Sequence, residues 1–290
     1  MKIREPDAEL LHAATGGSLA ALDALLAHIQ PGVFHLALRM LGHRDDAADA
    51  TQDVLLKVVT HLSGFRGESA FSTWVWRIAH HHLLTARTRI AEAPEQSLEA
   101  LDEKLAMGLS LADRTPAAGA DATARVLTPQ DKLEARQMAV SCTQSMLMAL
   151  DRDQRAAYLL DSVFDLPSTE AAAVLGVTAA AYRQRLSRAR ARLEGFLGQR
   201  CGLVNEGAAC RCERQAEVRR RHARPGGEPA LMLQPVELAE AERAFAAYGR
   251  VADAAEVFTR LPELRAPERL RAAIRLVLTQ EGFLDRGPAQ

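Results

Sequence analysis

An all-helical fold is what the sequence predicts, and three observations carry that expectation. Aromatic residues make up only 4% of the chain, alanine and leucine are abundant, and alternation of Val, Ile or Thr with polar residues is hard to find. Strand periodicity is therefore weak, whereas apolar residues recur at helical spacing over most of the length. The third observation is residues 165 to 193, DLPSTEAAAVLGVTAAAYRQRLSRARARL, which read as a short helix, a turn at Gly176 and a second helix. In that second helix Tyr182, Leu186, Ala189 and Leu193 share one stripe, and Arg185, Arg188 and Arg192 share another. Thr178 stands at the N-cap position just after the turn.

The elements follow in order. Residues 7 to 29 form one or two helices broken near Thr15-Gly16-Gly17, and Pro31 opens a helix running to Leu41. A third helix spans 45 to 62. Gly64-Phe65-Arg66-Gly67 marks a loop, and a fourth helix spans 72 to 89. From about 91 to 130 the pattern changes, with Pro94, Pro116 and Pro129 among alanine, glycine and acidic residues. That composition indicates a linker holding one short helix at 98 to 111. Helical patterning resumes from 131 to 198. Residues 199 to 230 hold three cysteines, an arginine run and PGGEP, and helical pattern returns over 235 to 283. The expected organisation is thus 1–92, a helical domain; 93–130, a linker; 131–198, a helix-turn-helix domain; and 199–290, a cysteine-containing extension.

At 290 residues the chain is long enough for more than one domain with a sizeable core. Its net charge of −1 means that nucleic-acid binding must rest on local patches, leaving acidic surface for a basic protein partner. MKIREPDAEL is no secretory leader and no apolar run is expected to match a membrane span, so the expected address is the cytoplasm, with no membrane association. Four cysteines, Cys142, Cys201, Cys210 and Cys212, do not make a disulfide framework for a chain of this size.

Three constellations carry chemistry. In the 165–193 segment the arginines have no acidic residue among them, so no i,i+4 pair relieves their charge, and a helix packed by its opposite face is suited to a DNA groove. Arginine's planar fork fits phosphates and guanine edges. In the third helix Asp46, Asp49 and Asp53 share a face with Gln52 at its margin. Plain solvent exposure and docking onto a basic protein both account for it, while the spacing encloses no cation. The segment FRGESAFSTWVWRIAHHH, 65 to 82, places aromatic and polar side chains beside basic ones, as single-stranded DNA requires. Within it Trp74 and Ile78 are expected in the core, and Phe71, Ser72 and Thr73 are the better candidates for touching bases. His80, His81 and His82 point in different directions and cannot chelate together. Catalytic motifs are missing, so no enzyme activity is expected.

In these motifs the chain resembles the sigma-70 family of bacterial transcription initiation factors, in its compact extracytoplasmic-function form. DDAADATQDVLLKV (45 to 58) is similar to the family's signature for docking on RNA polymerase. FRGESAFSTWVWRIAHHHLL (65 to 84) is similar to its segment for opening and reading the −10 promoter element, and residues 150 to 193 to its helix-turn-helix for the −35 element. The resemblance implies a promoter-specificity subunit whose partners are core RNA polymerase and promoter DNA. Asp46, Asp49, Gln52 and Asp53 would bind polymerase. Phe65, Arg66, Ser69, Phe71, Ser72, Thr73, His80 and His81 would serve the −10 element. Thr178, Ala180, Ala181, Arg183, Gln184, Arg185, Ser187 and Arg188 would serve the −35 element. A conventional helix-turn-helix regulator with an N-terminal sensor domain is the competing reading. Control by an anti-sigma factor, or by residues 199–290 acting in cis, is a further expectation. No cofactor is required for any of this. Cys201, Cys210, Cys212 and His222 supply the ingredients of a three-cysteine, one-histidine zinc site, with unliganded thiols and a redox pair as alternatives.

Overall fold

The computed structural model describes residues 2–86, 97–114, 127–222 and 254–259, together with 270, 272 and 274–276. Among these every regular element is a helix, apart from one parallel bridge between Cys201 and Cys210. The expected proline segment near 94 and 116 and most of the 235–283 region lie outside the described residues.

The helices are α1 Ala8–Thr15, α2 Leu19–Leu41, α3 Arg44–His61, α4 Phe71–Thr85, α5 Leu98–Arg114, α6 Pro129–Met148, α7 Arg152–Tyr158, α8 Ser168–Leu175, α9 Ala179–Arg200, α10 Cys212–His222 and α11 Ala254–Thr259. Their boundaries have local causes. Ser18 accepts from the Ala21 amide at the start of α2, and Gly42 closes it in the left-handed region at φ 77°. Thr128 and Asp131 form a capping box on α6, so Pro129 occupies the first helical turn rather than belonging to the linker. A π-helical turn at Leu159–Val163 follows α7.

Two expectations change together. Pro31 does not open a helix but sits inside a continuous α2. Residues on both sides of it, from Leu25 and Ile29 to Val33 and Phe34, are buried, and their packing outweighs the lost backbone hydrogen bond. Because the helix is unbroken, it is also long and apolar enough to cross a membrane by length and composition. Most of it is buried inside the protein, as a core helix is.

The chain divides into two compact units, each made of separate segments. One comprises residues 1–92, 152–186 and 263–290, and the other 93–151 and 187–262. This division differs from the four segments expected from sequence, since α9 contributes to both units. In the first unit α2 packs against α1, α3 and α4, and α8 lies on α4. Phe34, Val54, Leu55, Val58, Phe71, Val75, Trp76 and Tyr182 are among its buried side chains. Arg155, itself buried, donates to the Met40 carbonyl, and Arg152 donates to the Leu84 carbonyl at 2.6 Å. In the second unit α10 packs against α5 and α6. Gln215 donates to the Leu105 carbonyl at 2.8 Å, and Arg220 bonds Asp131 and Glu134 at 3.3 and 3.0 Å.

Candidate polymerase and nucleic-acid interface

The acidic face forms because α3 buries Ala47, Ala50, Thr51, Val54, Leu55 and Val58, which turns the intervening carboxylates outward. Asp49 and Asp53 are exposed and Gln52 is half-buried. Asp46 departs from the expected face: its side chain is only 10% exposed and lies 3.8 Å from His43, in the first turn of α3 where negative charge is favoured. Asp53 is tethered to α4, with Oδ2 3.5 Å from Nε2 of His82. Lys57 reaches the other ring nitrogen of His82 at 3.0 Å. A lysine ammonium only donates, so Nδ1 accepts and the proton sits on Nε2, facing Asp53. Burial, then Lys57, holds the pKa of His82 below its usual value, against the pull of Asp53.

The aromatic segment is arranged differently from the expectation. Trp76, not Trp74, fills the core at 1% exposure, since it stands i, i+3 and i+7 with Ala79 and Leu83 on the buried side of α4. Trp74 and Ile78 are half-buried. Phe65, Phe71 and Trp74 form a ring cluster with centroids 5.3 to 5.6 Å apart. Phe71 is the buried base of that cluster, while Phe65 and Trp74 reach the surface. Three of the residues expected to touch DNA are therefore corrected: Phe71, Thr73 and His80 are buried at 1%, 3% and 6% exposure. Arg66 and His81 are exposed, and Phe65, Ser69 and Ser72 partly so. Burial draws His80 down to about 4, opposed by Asp153 and reinforced by His81 and Arg185, so its ring is neutral near neutral pH.

Sequence reasoning missed how this segment is held. Ala70 at the N-cap of α4 has no side chain to offer, and Glu5 supplies the cap from the chain's start. Its two carboxylate oxygens accept from the Phe71 and Ser72 amides at 3.0 and 2.8 Å. A charged acceptor on orphan amides at a helix N-terminus is favoured twice, by hydrogen bonding and by the helix dipole.

The helix-turn-helix follows the pattern read from sequence. Gly176 takes φ 65° at the end of α8, a conformation that suits glycine, and lets the chain reverse into α9. Thr178 Oγ1 accepts from the Ala181 amide at 3.2 Å. Tyr182, Leu186, Ala189, Leu193 and Leu197 are buried along one side, and the Tyr182 hydroxyl donates to the Ala157 carbonyl at 3.3 Å. On the other side Thr178, Ala180, Arg183, Gln184, Ser187 and Arg188 are exposed and Ala181 is partly so. Arg185 is the exception. It is half-buried and pairs with Asp153 at 3.3 Å, so the arginine set does have an acidic partner, brought from α7 by the fold.

Comparison with known proteins matches both halves of this surface, in order. The description "Sigma-70 region 2" covers residues 25–91, and "Sigma-70, region 4" covers residues 141–193. The ECF RNA polymerase sigma factor SigM of Mycobacterium tuberculosis is 31% identical over 192 residues, 66% of this chain and 85% of that protein. The chain belongs to the sigma-70 family, in its extracytoplasmic-function branch. The RNA polymerase sigma-H factor of Pseudomonas aeruginosa is 25% identical over 201 residues, covering 68% of this chain and 96% of that one. The ECF RNA polymerase sigma-E factor of Haemophilus influenzae is 27% identical over 192 residues, covering 65% and 93%. Among solved structures, the sigma factor RpoE of Bartonella quintana, determined with the anti-sigma factor NepR, is 23% identical with a TM-score of 0.37, covering 60% of this chain and 94% of that one.

As a sigma factor the protein directs RNA polymerase to promoters, and its residues 25–91 match sigma-70 region 2, so the reading of a conventional regulator is not favoured. Its cysteines fall largely outside that account, since Cys201, Cys210 and Cys212 lie beyond the region 4 match. In the second unit all four cysteines line one cavity, including Cys142 of α6, which sequence spacing did not associate with the others. The His222 side chain lies outside the described residues. As they stand, no three described His, Cys, Asp or Glu side chains are placed to hold a metal. The expectation that nearby arginines favour thiolates is corrected too: all four thiols are pushed up, chiefly by burial.

Proposed function

We propose that this sigma factor engages core RNA polymerase through the exposed carboxylates of α3, captures a −10 base with the 65–72 segment and reads the −35 element with α9. The reading rests on one observation above all: Arg183, Gln184, Ser187 and Arg188 stand exposed on a capped helix whose opposite face is buried. Such a helix enters the major groove without disturbing its own packing, with arginines on phosphates or guanine edges and Gln184 on a base edge.

For docking, Asp49 and Asp53 with Gln52 meet a basic polymerase surface by charge complementarity, and Asp46 serves mainly to start the helix. For melting, the half-exposed rings of Phe65 and Trp74 offer stacking surfaces to an unstacked base, with Arg66, Ser69, Ser72 and His81 around them. Two weak DNA contacts on one chain gain affinity when polymerase fixes their spacing. Residues 1–92 and 131–198 are assigned these two roles. The protein acts as a binding subunit without catalysis of its own, in the cytoplasm where the polymerase works. Its activity is controlled by an anti-sigma factor or by residues 199–290 acting in cis. In the first unit α8 packs on α4 and His80 is buried, so access to that side of α4 requires the two helices to part.

Binding of the labelled full chain to a promoter duplex, with and without core polymerase, tests this reading. The expected result is weak, salt-sensitive binding alone and tight binding with polymerase. Equal promoter affinity in both cases marks an autonomous DNA-binding regulator and contradicts the proposal.

A further inference from the structure

The four cysteines come from three places in the chain and meet in the second unit. Cys142 belongs to α6, Cys201 directly follows α9, Cys210 precedes α10 and Cys212 is its first residue. The connection between α9 and α10 is a tied loop. Cys201 and Cys210 pair as a parallel bridge, with the Gly202 amide donating to the Cys210 carbonyl at 3.1 Å. A Cβ on Gly202 would come within 2.4 Å of that carbonyl oxygen, so glycine is required there. The Arg211 guanidinium donates to the carbonyls of Ala208, Cys210 and Glu206, which fixes the loop's curvature. The backbone carrying three of the cysteines is thereby held in place without a disulfide.

Between these elements lies a cavity of about 260 Å³, lined by all four cysteines and by Met138 and Met146. Six sulfur-bearing residues lining one cavity supply a soft donor set, the kind that selects thiophilic d10 cations over calcium, magnesium or manganese. A coordinated thiol gives up its proton outright, so a cation at this cavity would be held by thiolates.

We propose that Cys142, Cys201, Cys210 and Cys212 bind one thiophilic d10 cation, as a four-thiolate site that closes into this cavity. In the described rotamers the sulfurs do not meet at a common centre. A tetrahedral four-thiolate centre needs sulfurs about 3.8 Å apart, from metal–sulfur bonds near 2.3 Å. Closing the site would turn the four thiols inward, toward the cavity that all four residues line. Binding is written as four thiols plus a divalent cation giving a four-thiolate complex of net charge −2 and four protons. Arg200, Arg211 and Glu213 line the same cavity, and Arg200 is already paired with Asp102 at 2.6 Å, so Arg211 is the nearby cation that offsets part of that charge. The site ties α6 to the end of α9 and the start of α10. His222 has no part in it, in contrast to the three-cysteine, one-histidine arrangement expected from spacing.

The test uses the full-length reduced chain, titrated separately with cadmium and zinc under anaerobic conditions. The expected result is one ion per chain, a cadmium–thiolate charge-transfer band of four-sulfur intensity, and release of about four protons per ion. Cys142→Ser is expected to weaken cadmium binding by about 100-fold or more, and His222→Ala to leave it unchanged. Helical circular dichroism checks that each variant is folded, and band intensity in the unsubstituted chain gives the sulfur count without any variant. Binding below one ion per chain, a three-sulfur band, or wild-type affinity in folded Cys142→Ser overturns the proposal. Stronger loss with His222→Ala than with Cys142→Ser overturns it in favour of a three-cysteine, one-histidine site.

Discussion

Trp76 and Phe164 stack at 4.7 Å between ring centroids, tilted by 51°, and each is 1% exposed. The contact joins α4, which carries the −10 segment, to the turn that precedes the helix-turn-helix. His35 of α2 completes it, its ring edge-on to Phe164 at 5.7 Å. One aromatic cluster thus links three elements of the first unit, and it explains why α8 lies on α4.

Phe164→Ala is expected to destabilise the first unit by about 3–5 kcal/mol, since it empties a fully enclosed site. Phe164→Leu should lose much less. Urea unfolding of both variants checks this, and equal midpoints for the alanine variant and the unsubstituted chain would show that the cluster contributes little.

Acid should weaken the same unit. His35 and His80 are both buried with pKa values drawn down, chiefly by burial, His80 to about 4 from an ordinary 6.5. Between those values the unfolded chain binds protons that the folded chain refuses, so stability rises with pH. The contribution is complete above pH 6.5 and is lost as pH falls through the folded pKa, on the order of 3 kcal/mol for His80. His80→Gln should flatten the dependence of the unfolding midpoint on pH between 7 and 4. An unchanged slope contradicts the burial of a neutral His80.

Glu5→Ala is expected to fray the start of α4, at a cost of about 1 kcal/mol, while Glu5→Gln retains hydrogen bonding and loses the charge term. Hydrogen exchange at the Phe71 and Ser72 amides reports it directly. Protection unchanged in the alanine variant would show that other groups cap the helix.

How far each feature could be read from sequence depended on whether its cause was local. The α9 stripe, its Thr178 cap and the Gly176 turn were legible because helical periodicity and turn chemistry lie within a few residues of one another. Asp49 and Asp53 were legible for the same reason. Glu5 as the cap of α4, Asp153 as the partner of Arg185 and Cys142 beside Cys201 were not, since each joins residues brought together only by tertiary packing. Pro31 misled because a local helix-breaking rule was overridden by burial on both sides. Trp74 and Trp76 are two positions apart, and which one faced inward depended on where α4 meets α2 and the Phe164 turn.

Polymerase docking separates the two kinds of aspartate on α3. Asp49→Lys with Asp53→Lys should abolish binding to core polymerase and leave helical content intact, because both side chains are exposed. Asp46→Lys should instead lower stability, since it places a positive charge at a position only 10% exposed, in the first turn of a helix. Wild-type core affinity in the double variant would remove the docking assignment.

On α9, Arg188→Ala should weaken promoter-dependent transcription and reduce its log–log salt slope by about one unit, if one phosphate contact is lost. Substituting Gln184 should change which −35 sequences function. A randomised −35 library that returns the same preference with and without Gln184 contradicts its role as a base reader.

The central claim is promoter selection by this chain on behalf of RNA polymerase, and transcription from a genomic fragment library by purified core polymerase measures it most directly. With the chain present, new start sites are expected, each preceded by a shared pair of elements at fixed spacing, and none of them should survive the Asp49→Lys, Asp53→Lys substitution. An identical set of transcripts with and without the chain would contradict the account.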